Sequence, residues 1–277
     1  MQRVSTSKAH GGEQQVWSHA STETGTPMTF AVFLPEHAPG ETLPVLWYLS
    51  GLTCTHANVM DKGEYRAACA KHRVIFVAPD TGPRGDGVPD DPAWDFGQGA
   101  GFYVDATVAP WAASFRMRSY VERELPALVA EQFPVDMTRQ GITGHSMGGH
   151  GAMTIALRDP ARFRSVSAFA PIVSPMNCPW GEKALGGYLG EDRAAWREYD
   201  ACALIDDGAK LPELLVDQGM SDGFLIEQLK THLLAEACER AGIKPTIRLQ
   251  PGYDHSYSFI STFMAEHVAW HAERLWR

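Results

Sequence analysis

The sequence contains no apolar stretch long enough to cross a membrane and no apolar segment near its start. No run of about 18 apolar residues occurs, and residues 1–12 are mostly polar. The five cysteines are widely spaced and form no Cys-x-x-Cys pair, a pattern typical of reduced thiols. We therefore expect a cytoplasmic protein that has no membrane partner.

Basic residues are too few for a nucleic-acid binder. The 24 Lys and Arg residues against 33 Asp and Glu residues give a formal net charge of −9 at pH 7, and no basic run occurs. Affinity for a phosphate backbone depends on clustered positive charge. Nucleic acid is therefore excluded as a partner, whereas a small anionic substrate is not, because a few local cations are enough to steer it.

What the sequence does have is enough apolar material for one large core. It comprises 277 residues, of which 44% are hydrophobic, and chains of this length commonly form one domain. We predict a single domain over residues 1–277. Short apolar runs alternate with helical stretches, which predicts an α/β fold with a doubly wound, mostly parallel sheet.

Four regions carry more specific expectations. Residues 14–20 and 28–34 are strand-like and separated by a turn-rich segment, which predicts an antiparallel N-terminal hairpin at the sheet edge. Residues 1–12 are expected to be a flexible extension. The irregular segment 171–210 is interpreted as an insertion near the active-site end of the sheet. The helical spacing of the leucines within residues 224–240 predicts one helix there.

The clearest motif is Gly144-His145-Ser146-Met147-Gly148, which follows an apolar run and precedes a helical stretch. This Gly-x-Ser-x-Gly pattern is typical of a nucleophile elbow, in which a sharp strand-to-helix turn exposes a serine hydroxyl. Glycines flank the serine because a side chain there would press against the adjoining strand or helix. Ser146 is thus the candidate nucleophile.

A serine nucleophile needs a base, and the base needs a third group to orient it. His255 follows the last predicted strand, whereas the other histidines precede Ser146, belong to the elbow or lie within helices. Asp222 lies in the loop after the preceding strand and is the favoured acid. Asp217, near the end of that same strand, is the rival acid. The order Ser, Asp, His is that of the α/β-hydrolases.

An acyl-transfer site must also stabilise an oxyanion. The N–H of Met147, directly after the candidate nucleophile, is one expected donor. The N–H of Leu52 is the other, because it lies in the loop after the apolar strand 44–49 and follows Gly51. Cys54 lies two residues further on, either as a reactive thiol in the pocket or as an inert buried one.

Together these motifs resemble the S-formylglutathione hydrolases, serine esterases of the α/β-hydrolase superfamily. The resemblance covers nearly the whole chain and is carried by the stretches at residues 48–55, 79–81, 94–97, 99–107, 144–152, 217–219, 222–225 and 251–257. It implies an α/β-hydrolase fold with Ser146, Asp222 and His255 as the triad. Leu52 and Met147 would then be the oxyanion donors.

The resemblance also implies the substrate, which residue spacing alone does not supply. The implied reaction is hydrolysis of S-formylglutathione to formate and glutathione in formaldehyde detoxification, with no metal and no other cofactor. The expected pocket residues are Cys54, Trp94, Phe102 and Trp180, and the expected assembly is a homodimer. Two alternatives stay open: a broad carboxylesterase acting on small acyl esters, and a non-catalytic α/β-hydrolase scaffold.

Overall fold

The computed structural model describes residues 1–211 and 213–277 and contains one nine-stranded sheet. Its spatial order is β1-β2-β3-β5-β4-β6-β7-β8-β9. The strands from β5 to β9 in this order run parallel, whereas β1, β2 and β3 are antiparallel to their neighbours. The strands are β1 Gln2–Ala9, β2 Gly12–Ala20, β3 Pro27–Leu34, β4 Leu43–Leu49, β5 Ile75–Pro79, β6 Val135–Gly144, β7 Phe163–Phe169, β8 Leu214–Gly219 and β9 Thr246–Gln250.

Helices cover both faces of this sheet. They are α1 His56–Lys62, α2 Arg66–His72, α3 Met117–Ser119, α4 Leu125–Gln132, α5 Met147–Arg158, α6 Pro179–Leu189, α7 Arg193–Trp196, α8 Ala201–Asp206, α9 Thr231–Ala241 and α10 Tyr257–Leu275. Successive side chains of a strand point to opposite faces. On β7, the Ala168 side chain faces Gly149 of α5, while Ser167 bonds to His267 of α10. The doubly wound, mostly parallel α/β fold is confirmed.

The central strands are the apolar runs of the sequence. All residues of β4 and of β5 are buried, as is typical of parallel strands covered on both faces. Their carboxyl ends and that of β6 meet at one edge of the sheet, because Leu49 pairs with Gly144 in the β4–β6 register. That edge carries the loops that were predicted to hold the site.

The N-terminal region differs from the prediction in one respect. The hairpin of β2 and β3 is present, with Val16 opposite Ala31, but a further strand lies between it and the sheet edge. The expectation of a flexible extension over residues 1–12 is wrong for Gln2–Ala9, which forms the edge strand β1 on β2. Seven of its eight residues are exposed, so backbone pairing rather than burial holds this strand. Its polar composition therefore concealed it.

The predicted helix over residues 224–240 is two elements. A π-helical turn spans Leu225–Leu229, Lys230 adopts a left-handed conformation with φ 52°, and α9 begins at Thr231. The Thr231 hydroxyl donates to Gln218 Oε1 at 2.8 Å, which ties the start of α9 to β8. Neither glycine nor proline marks this break, so the spacing of the leucines predicted one continuous helix.

Two irregular segments lie over the carboxyl edge of the sheet. Residues 171–210 contain α6, α7 and α8, and residues 81–107 form a long loop. The Thr53 N–H donates to Gly99 O of that loop at 2.9 Å, and Tyr188 of α6 donates to Ala100 O at 2.9 Å. All five cysteines are free thiols. Within residues 1–211 and 213–277, none of the helices has the length and apolarity that a bilayer crossing requires.

Candidate active site

Ser146 sits at the tight turn between β6 and α5. Its backbone has φ 58° and ψ −118°, a conformation that costs energy in a residue with a side chain. A Cβ on Gly144 would lie 2.2 Å from Gly148 O, and a Cβ on Gly148 would lie 1.9 Å from Leu49 O. Glycine is therefore required at both positions, for the steric reason expected from the sequence.

The main chain of the elbow is held from several sides. The Ser146 N–H donates to Phe169 O at 3.0 Å, and Ser146 O accepts from the Ile172 N–H at 3.2 Å. The His145 N–H donates to Leu49 O at 3.0 Å. The strained turn thus rests on the ends of both neighbouring strands, β4 and β7.

His255 and Asp222 come together beside this elbow. His255 Nδ1 lies 2.6 Å from Asp222 Oδ2, so the imidazole is oriented by a carboxylate. The Asp222 side chain is fully buried, whereas that of His255 is 18% exposed. Asp222 Oδ1 accepts from the Phe224 N–H at 2.8 Å. His255 and Ser146 line the same cavity, so this imidazole faces the space that the serine hydroxyl faces.

Asp217, the rival acid, is committed elsewhere. Its carboxylate accepts from the guanidinium of Arg248, from Gln250 Nε2 at 2.9 Å and from His267 Nε2 at 2.9 Å. Burial alone would raise the pKa of Asp217, but the hydrogen bonds from His267 and Arg248 outweigh it and lower the pKa to about 2. Asp217 is therefore a fully bonded carboxylate on the sheet face that α10 covers.

The two expected oxyanion donors lie in the loop after β4 and at the first turn of α5. Among the residues that the structure describes, neither the Leu52 N–H nor the Met147 N–H donates to a protein acceptor. A Cβ on Gly51 would lie 3.2 Å from Ser146 Cβ, so this glycine lets the loop approach the serine closely. The Tyr103 hydroxyl donates to Ser50 O at 2.9 Å and fixes the loop from behind.

The cavity at Ser146 is small and largely apolar, with a volume of about 170 Å³. Three of the four expected pocket residues line it: Cys54, Trp94 and Trp180. The fourth expectation is wrong, because Phe102 is completely buried and packs against His150, whose Nε2 lies 2.9 Å from Phe102 O. Its backbone lies in the left-handed region, with φ 47°.

Phe224 and His145 also line the cavity, and the sequence reasoning missed both of them. The Phe224 ring meets the His255 ring edge to face at 5.1 Å, and its position two residues after Asp222 was the signal that could have found it. The His145 ring lies 4.4 Å from that of His255. Burial, followed by the nearness of His255, holds the pKa of His145 well below its usual range, so this ring is neutral at pH 7.

The Cys54 thiol is a poor nucleophile in this setting. Burial raises its pKa, and the neighbouring Tyr257 hydroxyl, followed by the positive charges of Lys62 and Arg84, offsets that effect only in part. The thiol is therefore protonated at neutral pH and forms an uncharged part of the cavity wall.

Comparisons with known proteins agree with this geometry. The Esterase family matches residues 21–277. The S-formylglutathione hydrolase of Paracoccus denitrificans (strain Pd 1222) is 54% identical, with 98% of this chain and 97% of the relative covered. That of Mus musculus is 48% identical, with 99% of each covered.

Solved structures give the same result. The S-formylglutathione hydrolase of Agrobacterium tumefaciens superposes with a TM-score of 0.98 at 57% identity, covering 99% of this chain and 100% of that one. A Staphylococcus aureus structure at 19% identity and a TM-score of 0.70 shares the fold alone. Family match, identity and coverage together establish that the chain belongs to the Esterase family and, within it, to the S-formylglutathione hydrolases.

Proposed function

We propose that this chain hydrolyses S-formylglutathione to formate and glutathione in formaldehyde detoxification, with Ser146 as nucleophile, His255 as base and Asp222 as orienting acid. The observation that carries the proposal is the 2.6 Å bond between His255 Nδ1 and Asp222 Oδ2 beside the cavity that Ser146 lines. The names of the relatives supply the substrate.

In the acylation step, the ionised Asp222 keeps a proton on His255 Nδ1, because a carboxylate can only accept a hydrogen bond. Nε2 of the neutral ring is then the free base, and it takes the proton of Ser146 as Oγ attacks the formyl carbon. The carbonyl oxygen gains negative charge, which the N–H groups of Leu52 and Met147 stabilise. Each such donor is worth roughly 3–4 kcal/mol in the transition state.

Collapse of the tetrahedral intermediate breaks the carbon–sulfur bond. A thiol has a pKa of about 8.5, so glutathione is a good leaving group. The electron pair of the carbon–sulfur bond goes to the sulfur, which takes the Nε2 proton of the imidazolium and leaves His255 neutral again. Water then enters, gives its proton to His255 Nε2 and attacks the formyl-serine ester. Formate leaves, and the proton returns to Ser146 Oγ.

The size of the cavity fits a one-carbon acyl group. About 170 Å³ bounded by Leu52, Trp180 and Phe224 leaves room for the reacting thioester but not for a tripeptide. The glutathione portion therefore extends past Trp94, which is 55% exposed at the mouth. Apolar walls also limit water around the oxyanion, which strengthens the N–H interactions.

The rival functions make different predictions. A broad carboxylesterase would use the same residues on small acyl esters, so the comparison of kcat/KM for S-formylglutathione with that for an aryl acetate decides between them. We expect the thioester to be preferred, and a preference for the aryl acetate would refute the substrate assignment. A non-catalytic scaffold would hydrolyse neither. The homodimer and the cytoplasmic location stay predictions, which molar mass in solution and cell fractionation check.

A further inference from the structure

A second set of buried polar side chains lies beneath the elbow, on the sheet face covered by α10. Asp217, Ser165, Ser167 and Thr143 project from β8, β7 and β6, and His267 and His271 project from α10. All six residues have no solvent-accessible surface. We call this set the α10 relay. The proposed reaction does not use any of its members.

The hydrogen bonds of the relay form an unbroken chain. Asp217 Oδ2 accepts from His267 Nε2 at 2.9 Å, and His267 Nδ1 lies 2.8 Å from Ser167 Oγ. Ser167 Oγ lies 2.8 Å from His271 Nε2, and His271 Nδ1 lies 2.7 Å from Ser165 Oγ. Ionisable groups sealed from water at this depth are costly unless every polar atom has a partner.

Ser167 is the hub of the relay. A hydroxyl has one hydrogen and two lone pairs, so three partners satisfy it. Ser167 Oγ has three: the two imidazoles and Thr143 Oγ1, which lies 2.7 Å away. Thr143 is three residues before Ser146, so the hub connects α10 directly to the strand that ends in the elbow.

A second connection reaches Ser146 itself. The His267 ring stacks on the Phe169 ring with centroids 3.8 Å apart and 22° between the planes. The carbonyl of Phe169 accepts the Ser146 N–H, and the next residue, Ala170, donates its N–H to Asp217 O at 2.8 Å. His267 and Asp217 therefore contact Phe169 and Ala170, the same turn that accepts the Ser146 N–H.

Three of the four elements joined by the relay carry the proposed triad. β6 leads into Ser146, β8 leads to Asp222, and α10 begins two residues after His255. We propose that the α10 relay is a positioning device, with Ser167 and His267 as positioning residues that keep Ser146 in its strained conformation and in reach of His255. This inference rests on the proposed triad, because positioning has meaning only if these residues react.

The argument for positioning, rather than stability alone, is the strain at Ser146. A residue at φ 58° relaxes unless its surroundings hold it. Misplacing a reacting group by about 1 Å costs roughly 100-fold in rate. Loosening the turn at Phe169 and Ala170 therefore slows chemistry, whereas the substrate cavity, which the relay does not line, keeps its affinity.

The test is Ser167→Ala, which removes one oxygen atom, with Tyr65→Phe as the matched control. Tyr65 is completely buried and its hydroxyl donates to Gln14 Oε1 at 2.6 Å, far from the elbow in sequence. Three quantities are measured for each variant: the Tm, kcat and KM for S-formylglutathione, and the rate at which a fluorophosphonate probe labels Ser146.

For Ser167→Ala we expect kcat and the labelling rate to fall together by roughly tenfold or more, with KM within about twofold of wild type. For Tyr65→Phe we expect a lower Tm with kcat unchanged. If Ser167→Ala lowers the Tm as Tyr65→Phe does and leaves kcat and labelling intact, the relay is only structural and the inference is wrong.

Two further measurements distinguish a failure of this inference from a failure of the proposed triad or of the proposed substrate. If Ser167→Ala does not fold, Thr143→Val removes one arm of the hub and should lower both rates by a smaller factor; unchanged rates would overturn the inference. Labelling of Ser146 does not depend on the thioester, so wild-type protein that is labelled but inactive on S-formylglutathione refutes the proposed substrate alone. Wild-type protein that is not labelled refutes the triad.

Discussion

Replacing Asp222 by asparagine should strongly lower kcat, because it moves the proton of the His255 ring from Nδ1 to Nε2. The carboxylate of Asp222 accepts on both oxygens, from the Phe224 N–H at 2.8 Å and from His255 Nδ1 at 2.6 Å. An amide has one accepting side only. If its oxygen keeps the bond from Phe224, its NH2 group faces His255 Nδ1, which must then be unprotonated.

That tautomer is inactive because its proton lies on Nε2, the atom that should accept from Ser146. The opposite amide orientation sets the buried NH2 group against the Phe224 N–H, so two donors face each other without an acceptor, which costs about 1–3 kcal/mol. The bond from Gln218 Nε2 to Oδ2 favours this orientation, but at 3.4 Å it is the longest of the three bonds to Asp222 and offsets the cost only in part. We therefore expect a loss in kcat of roughly 10³- to 10⁴-fold, or about 4–5.5 kcal/mol.

The assay is kcat for S-formylglutathione hydrolysis by Asp222→Asn and, as the matched control, by Asp217→Asn. Asp217 touches His267 and Arg248 rather than His255, so Asp217→Asn should lower the Tm and leave kcat at least tenfold above that of Asp222→Asn. Asp222→Asn that retains more than about a tenth of wild-type kcat would refute the tautomer argument. A larger kcat loss at Asp217 would make Asp217 the acid.

Three further outcomes follow from the packing. Gly148→Ala should unfold the protein or strongly lower its Tm, because its Cβ would lie 1.9 Å from Leu49 O, whereas Gly186→Ala, with its nearest neighbour at 3.6 Å, should be neutral; equal Tm values would contradict this. Ser146→Gly should raise the free energy of unfolding by about 1 kcal/mol over Ser146→Ala, because only glycine relieves the strain at φ 58°; denaturant titration checks it. Stability should fall on acidification from pH 6.5 towards pH 4, because burial lowers the folded-state pKa of three histidines and the unfolded chain binds their protons first; a flat profile would exclude this linkage for His145, His150 and His271.

The sequence predicted the central sheet and the places of Ser146, His255 and Asp222 at its carboxyl edge for a physical reason. Strands covered on both faces must be apolar, so β4 and β5 were visible as continuous runs bounded by turn residues. The elbow needs glycine at fixed positions, so Ser146 stood out. His255 and Asp222 followed because parallel strands end at one edge, and only a few polar residues lay there.

What the sequence concealed depends on contacts between distant residues. Strand β1 is polar and is held by backbone pairing, which leaves no pattern in its side chains. The break at Lys230 arises because Thr231 bonds to Gln218 across to β8. Phe102 lies within a stretch that resembles the family, yet it is buried against His150 instead of lining the cavity.

The α10 relay was concealed for the same reason. Nothing in the spacing of His267 and His271 in the C-terminal stretch, or of Ser165 and Ser167 along β7, links one pair to the other. Only the pairing of α10 with β7 joins them. Asp217 is the opposite case. Its position near a strand end made it the rival acid, but its hydrogen bonds with Arg248, Gln250 and His267 show that it belongs to the relay instead.

The most direct test of the central claim is the hydrolysis of S-formylglutathione by wild-type protein and by Ser146→Ala. The wild-type protein should cleave the thioester, with formate and free glutathione released in equal amounts. Ser146→Ala should lose roughly 10⁴-fold or more in kcat/KM while remaining folded, because the nucleophile itself is gone. A Ser146→Ala protein whose kcat/KM stays within about tenfold of wild type would contradict the account.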